Sequence, residues 1–491
     1  MTSWRLDDSR FLRRASGFGG ALSALSLLAL IGCGPEPELP PNVLVISIDT
    51  LRMDHTTLGG YERDTTPALA EWAQGGAVFN QAYSASSWTL PSMSMLLTGQ
   101  VQVKNEGRIF PNQAPLAETL RKRGYRTGAV MSNALLTSER GFDRGFDRFE
   151  IKSEHNSGGQ KWLAPDVTDR GIAFMSGERK PFFLLLHYFD PHDPYLPIDG
   201  QAFPPFRSPE RIESFRSALP ENKRQLFTAE VYRGIEERIA QYDSEVLQTD
   251  RSLRRLFEWL ETEGLMENTI VVITADHGEG LWQRAATLGE TPKPVFFPEL
   301  YFEHGIQLYG EQVHVPLIFK GPGIPTGIQS SATVSLLDVV PTVLSLLDLS
   351  PAPNTPGIAL LPEVPESRGL PVFAICSRGT SVTVENRYRL HLPREYKLEQ
   401  GMKPELFDLV NDPLELHPLD DPEREAELTQ LIAGWIESNQ AIEWGEVEAL
   451  DADQVRKEFA NIGYAAGEML GEDFDEEPDE EPEKTDSREE E

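Results

Sequence analysis

Asn42 to Asp49 reads NVLVISID, a continuous apolar run closed by a carboxylate, and three further runs share its apolar character. PFFLLLHYFDPHDPY passes through His187 and Asp190 to His192, NTIVVITADHGE delivers Asp276 and His277, and VHVPLIFKGPG ends in a Gly-Pro turn. An unbroken apolar strand has no face to offer water. These runs therefore predict an α/β fold, a mostly parallel central sheet with helices on both faces, and not an antiparallel sandwich. In such open sheets, ligands and reacting groups gather at the carboxyl ends of the strands. Three of the four runs place acids or imidazoles there.

Plainer readings compete at single positions. Asp49 alone suits a turn or a helix N-cap. His187, set among apolar residues, reads as a core histidine. The tandem Asp276-His277-Gly278 is harder to dismiss, because two ligand-type side chains at a strand end, followed by a permissive glycine, suit a bound cation.

Between the second and third runs, Val231, Ile235, Ile239, Tyr242, Val246, Leu253, Leu256 and Leu260 recur at helical spacing. They predict one long amphipathic scaffold helix lying on the sheet. A chain of 491 residues exceeds one core. The expected division is a catalytic α/β domain over 42–345 and a smaller C-terminal subdomain over 346–470. From 471 to 491 a disordered acidic tail is expected, since thirteen acidic residues there face only Lys484 and Arg488. The formal charge of −33 argues against nucleic acid as a partner.

Arg5, Arg10, Arg13 and Arg14 precede the apolar stretch ALSALSLLALIG, the pattern of a signal peptide over 1–32. LIGC resembles the lipobox of bacterial lipoproteins, which makes Cys33 a lipidation site and the Pro-rich 33–41 a tether. The expected location is the cell envelope, on the periplasmic side or the cell surface, with the membrane reached through a lipid anchor.

WTLPSMSMLL raises a separate question, because Thr89 stands where a helix begins. Pro91 suits a first turn, and Met93, Leu96 and Leu97 give one buried stripe. A threonine at that point is a simple N-cap, or it is a hydroxyl facing the free N–H groups that attract anions. With Asp49, Asp276 and His277 holding a divalent cation nearby, that hydroxyl becomes a nucleophile.

The order of these segments resembles the sulfatase family of the alkaline phosphatase superfamily. NVLVISIDTLRMDH, WTLPSMSMLLTG, LAETLRKRGYRTGAV, GFDRGFDRF, YFDPHDPY, ENTIVVITADHGEG, EHGIQLYGEQVHVPLIFKGPG, SLLDVVPTVLSLLDL and ELFDLVNDPLE carry the likeness over residues 42–438. The resemblance implies one divalent metal, calcium by family habit, on Asp49, Thr89, Asp276 and His277. The ligand chemistry itself leaves manganese, magnesium and zinc open. It also implies that Thr89 is the nucleophile, that His192 and His304 grip the substrate and protonate the leaving group, and that the C-terminal segment is a small antiparallel α+β unit.

Two departures bear on function. The family's Cys-x-Pro-Ser-Arg reads here Thr89, Leu90, Pro91, Ser92, Met93, so no formylglycine is expected. Thr50 replaces the acid that usually follows the first metal-binding Asp. The expected activity is metal-dependent hydrolysis of sulfuric or phosphoric/phosphonic esters, with phosphoryl chemistry favoured, on a small-molecule or envelope-polymer substrate. Alternatives are a phosphoglycerol- or phosphoethanolamine-type transferase and an inactive sulfatase-like binding protein. Residues 281–302, rich in aromatics and proline, suggest a lid or substrate rim or a plain surface loop.

Overall fold

The computed structural model describes residues 39–442, apart from 104–106, 153–161, 283–302 and scattered positions between 179 and 228. Cys33 and the signal segment, the acidic tail, residues 443–470 and most of the 281–302 stretch lie outside the described residues. Among the described residues no helix is long and apolar enough to cross a membrane.

Among the described residues nine strands form the central sheet: β1 (Asn42–Ile48), β2 (Ala77–Tyr83), β3 (Arg126–Met131), β4 (Arg148–Ile151), β5 (Phe182–Tyr188), β6 (Thr269–Ala275), β7 (His314–Val315), β8 (Leu317–Lys320) and β9 (Ile328–Ser335). Their order is β4-β3-β5-β1-β6-β8-β2-β7, with β9 beside β2. The five strands from β4 to β6 run parallel, while β8 is antiparallel to β6, so the sheet is mostly parallel as predicted.

All seven residues of β1, β5 and β6 are buried. Side chains alternate between faces along a strand, so burial at every position means that both faces are covered. The helix Ala229–Thr262 is the predicted amphipathic one, with Ile235, Ile239, Tyr242, Val246, Leu253, Leu256 and Leu260 buried. It does more than cover the sheet. Tyr242 donates its hydroxyl to the Thr50 carbonyl at 2.8 Å and accepts the Arg52 N–H at 3.1 Å, bracing the turn that leaves β1.

A second, four-stranded antiparallel sheet comprises β10 (Val372–Ile375), β11 (Gly379–Val384), β12 (Tyr388–Pro393) and β13 (Glu405–Asp408). The helix Pro422–Gln440 lays Leu428 and Ile432 on Val382, Leu390 and Leu406. Its start follows local rules, with Pro422 in the first turn and the Asp421 carboxylate accepting the Arg424 N–H. Ahead of this unit, Leu360 and Leu361 pack in the main core. The unit also meets the Thr89 segment directly, because Ile375 donates its N–H to Ala85 and accepts the Ser86 hydroxyl.

Candidate active site

β1 and β6 pair with Ile48 opposite Ala275, so the next residue of each strand, Asp49 and Asp276, emerges at the same sheet edge. Both carboxylates are fully buried. Asp276 spends Oδ1 on the N–H groups of His277, at 2.9 Å, and Thr50, at 3.3 Å. Oδ2 accepts no hydrogen bond. Thr50 reaches its position with φ 57, strained for a β-branched residue, and the Tyr242 bond helps to hold it there. Gly278 is required for closeness: a Cβ on it would fall 2.2 Å from the Glu311 carbonyl oxygen.

The tautomer of His277 is fixed by its neighbour. Nδ1 lies 2.9 Å from the Gly278 carbonyl, which only accepts, so Nδ1 carries the proton and Nε2 the lone pair. That lone pair points at Asp276 Oδ2, 3.5 Å away, and Asp49 Oδ1, 3.6 Å away. Burial pushes His277 down to about 4, against the pull of Asp276, so the ring is neutral at neutral pH. A neutral imidazole lone pair facing two carboxylates is repulsive unless a cation lies between them. One donor atom each from Asp49, Asp276 and His277 fits within 4.8 Å. The oxygen and nitrogen donors and the unspent Asp276 Oδ2 thus fit a divalent cation.

Thr89 opens the helix Thr89–Thr98, which Gly99 closes in the left-handed conformation, φ 66. The sequence predicted one buried stripe, but all ten residues are buried, because the helix also packs against the Leu336–Asp338 turn and the Val339–Leu346 helix. Nor does the Thr89 side chain cap the helix. Oγ1 faces outward, 3.2 Å from His277 Nε2 and 3.5 Å from Asn133 Nδ2. The helix is pinned there by the hydroxyls of Ser84 and Ser92, both of which bond the Asp276 carbonyl.

His304 and His192 stand beside this group, with ring centroids 4.3 Å from His277 to His304 and 5.1 Å from His304 to His192. His304 Nδ1 lies 3.0 Å from Glu279 Oε1, and the Tyr195 hydroxyl bonds Glu279 Oε2 at 3.2 Å. Burial lifts Glu279 to about 7, against the pull of His192 and Arg238. His192 bonds the Asp193 carbonyl through Nδ1, and burial followed by the proximity of His304 pushes it down to about 3. Arg52, bonded to Asp54 and to the Glu279 carbonyl, is a brace.

Asp49, Thr89, His192, Asp276, His277 and His304 lie together at this sheet edge, while Cys33 lies outside the described residues. Three residues not named as site residues from the sequence also stand here. Asn133, whose Nδ2 reaches Asp49 Oδ2 at 3.0 Å, follows the end of β3 and was open to the same carboxyl-end rule. Glu279 was legible as the third polar residue of Asp-His-Gly-Glu. His187, read from its apolar neighbours as a core histidine, is fully buried and also lies 3.5 Å from Asp276 Oδ2.

The sulfatase family profile matches residues 41–349. Among curated proteins, arylsulfatase K of Gallus gallus is 25% identical over 473 residues, covering 82% of this chain and 84% of its own. A solved structure in complex with its substrate D-glucosamine-2-N,6-O-disulfate superposes with TM-score 0.65 at 19% identity, over 83% of this chain and 100% of that one. The phosphonate monoester hydrolase of Agrobacterium radiobacter superposes with TM-score 0.60 at 20% identity, over 82% and 95%. With the profile running from just before β1 to beyond β9, the chain belongs to the sulfatase family of ester hydrolases.

Proposed function

We propose that this chain cleaves phosphoric or phosphonic esters through a covalent intermediate on Thr89. The observation that carries the reading is Thr89 Oγ1, at the start of a buried helix and 3.2 Å from His277 Nε2, beside an Asp-Asp-His group fitted to a cation. Asp49, Asp276 and His277, with Thr89 itself, would hold that cation. When bound, a divalent cation lowers the pKa of the threonine hydroxyl and neutralises charge on the attacked group.

Thr89 Oγ1, ionised with its proton lost to water, attacks phosphorus in line, forming an O–P bond as the bond to the leaving oxygen breaks. Asn133 orients the hydroxyl and donates toward the developing charge, alongside the free N–H groups of the helix start. The leaving alkoxide takes its proton from His304, aligned by Glu279, with His192 next to it. Water then cleaves the phosphothreonine and regenerates the hydroxyl.

Phosphoryl chemistry is favoured over sulfuryl chemistry because threonine cannot become formylglycine, and an alkyl sulfate on threonine lacks the hydrate's route of release. The LIGC motif supports a lipid-anchored enzyme acting in the cell envelope.

The test is turnover of matched aryl phosphate monoesters and diesters, aryl phosphonates and aryl sulfates, with mass spectrometry of quenched enzyme for phosphate on the Thr89 peptide. Unchanged turnover by Thr89→Ala, or a preference for sulfates, would overturn the reading.

A further inference from the structure

The reaction above gives His187 no task. Its ring is fully buried at the carboxyl end of β5, and neither ring nitrogen makes a hydrogen bond. Buried polar groups nearly always find a partner, so two idle nitrogens on one side chain need a reason. Nε2 faces the two carboxylates of the site, 3.5 Å from Asp276 Oδ2 and 3.9 Å from Asp49 Oδ2. His277 Nε2 stands at 3.5 Å and 3.6 Å from the same two carboxylates. Two imidazoles thus flank one carboxylate pair.

The 3.5 Å between His187 Nε2 and Asp276 Oδ2 suits two adjacent ligands of one ion. Donors bonded to a common cation at about 2.0–2.2 Å lie about 3.0–3.6 Å apart when adjacent. An ordinary hydrogen bond from His187 to Asp276 would be shorter, about 2.7–3.2 Å. Thr50 does not compete for this flank, because its hydroxyl is turned away to the Pro191 carbonyl, 3.1 Å distant. A ligating histidine also needs an acceptor for its second nitrogen. Ser47 lies directly opposite His187 in the β1–β5 register, and its buried hydroxyl has no partner either.

We infer that His187 is a further ligand of the cation held by Asp49, Asp276 and His277, entering from the β5 side, and that this second imidazole makes the centre select a manganese- or zinc-like ion over calcium. The inference rests on the cation reading given under the proposed function. Imidazole binds the later divalent metals well, whereas calcium takes oxygen. His187 would hold the ion from one flank and His277 from the other, and the Ser47 hydroxyl, opposite His187 in the strand register, would accept a hydrogen bond from Nδ1–H.

The deciding experiment is pulsed EPR on the full chain stripped of metal and reloaded with manganese(II). Nitrogen couplings from two coordinated imidazoles are expected in the wild type, and from one in both His187→Ala and His187→Gln. Equilibrium dialysis should show manganese affinity falling at least tenfold in these variants while calcium affinity changes by less than threefold. Circular dichroism and melting of the metal-free variants verify the fold. One coordinated nitrogen in the wild type overturns the inference without help from any variant, as does an unchanged manganese-to-calcium preference in a folded His187→Gln. No manganese or calcium bound by the wild type at all sinks the cation reading itself, and the inference with it.

Discussion

Thr89 Oγ1 lies 3.2 Å from His277 Nε2, and that nitrogen carries the ring's lone pair because Nδ1 is committed to the Gly278 carbonyl. The proposed nucleophile and the proposed ligand are therefore registered to one another through two serine hydroxyls on the Asp276 carbonyl, not through the Thr89 helix alone.

The first prediction separates chemistry from folding at this contact. Thr89→Val keeps the branched shape and removes only the hydroxyl. Activity toward aryl phosphate and phosphonate esters should fall at least about a thousandfold. Thermal stability should move little, because Oγ1 caps no helix end. Thr89→Ser should retain activity within about tenfold, since the nucleophilic oxygen stays. Steady-state kinetics with a parallel melting curve check both statements.

His304 is expected to matter in proportion to how badly the leaving group needs a proton. His304→Gln should slow esters of poorly acidic alcohols by about 10²–10⁴, while esters of acidic phenols lose much less. Glu279→Gln, which alters the partner of His304 Nδ1, should give a milder form of the same pattern. The slope of log kcat/KM against leaving-group pKa reports this directly. A parallel downward shift for all leaving groups would assign His304 to binding instead.

The parts of this centre that the sequence revealed are those set by strand ends. Asp49, Asp276 and His277 follow apolar runs whose burial on both faces dictates a parallel sheet, and a parallel sheet puts its strand ends together. His187 escaped because it lies inside such a run, where composition reports only burial and not which strand end lies alongside. The Thr89 helix misled in a similar way. Its sequence shows one apolar stripe, but small residues, Ser92 and Ser94, let the other faces pack closely as well. The inward role of Tyr242 depends on the angle at which a long helix crosses the sheet, which periodicity does not encode.

Metal removal should cost stability as well as activity. Asp49 and Asp276 are held together in a buried site, and a cation bound there stabilises the folded state by about 2.7 kcal/mol when present at a hundredfold excess over its Kd. Chelation should lower the melting temperature, and added metal should restore it. Asp276→Asn should abolish that restoration, since it removes charge from the carboxylate whose Oδ2 accepts no hydrogen bond.

The metal-free protein should weaken in mild acid. Burial pushes His192 down from 6.5 to about 3, so the unfolded chain binds a proton that the folded chain refuses between those values. Stability then rises with pH across that window by about 1.4 kcal/mol per pH unit for this group. His277, pushed down from 6.5 to about 4, acts in the same direction. Glu279, lifted from 4.5 to about 7, opposes them by stabilising the folded chain at low pH and losing that contribution as pH rises through 7. Urea unfolding between pH 5 and 6.5 should therefore show a positive slope that flattens in His192→Asn and steepens in Glu279→Gln.

Glu415 joins the two sheets, and its removal tests whether that joint is rigid. Oε2 accepts Arg389 Nη1 at 3.1 Å and the Gly310 N–H at 2.5 Å, while Oε1 meets His391 Nε2 at 2.8 Å. Arg389 is buried against the Tyr83 ring of β2, with its guanidinium 4.4 Å from the ring centroid. Glu415→Ala leaves that guanidinium buried without its carboxylate, a change that typically costs about 3–5 kcal/mol. Replacing both partners, Glu415→Leu with Arg389→Met, removes the stranded charge and should cost much less than Glu415→Ala alone. If the double variant is as unstable as the single one, the network acts through its packing and the Gly310 contact, and not through the burial of an unpaired charge.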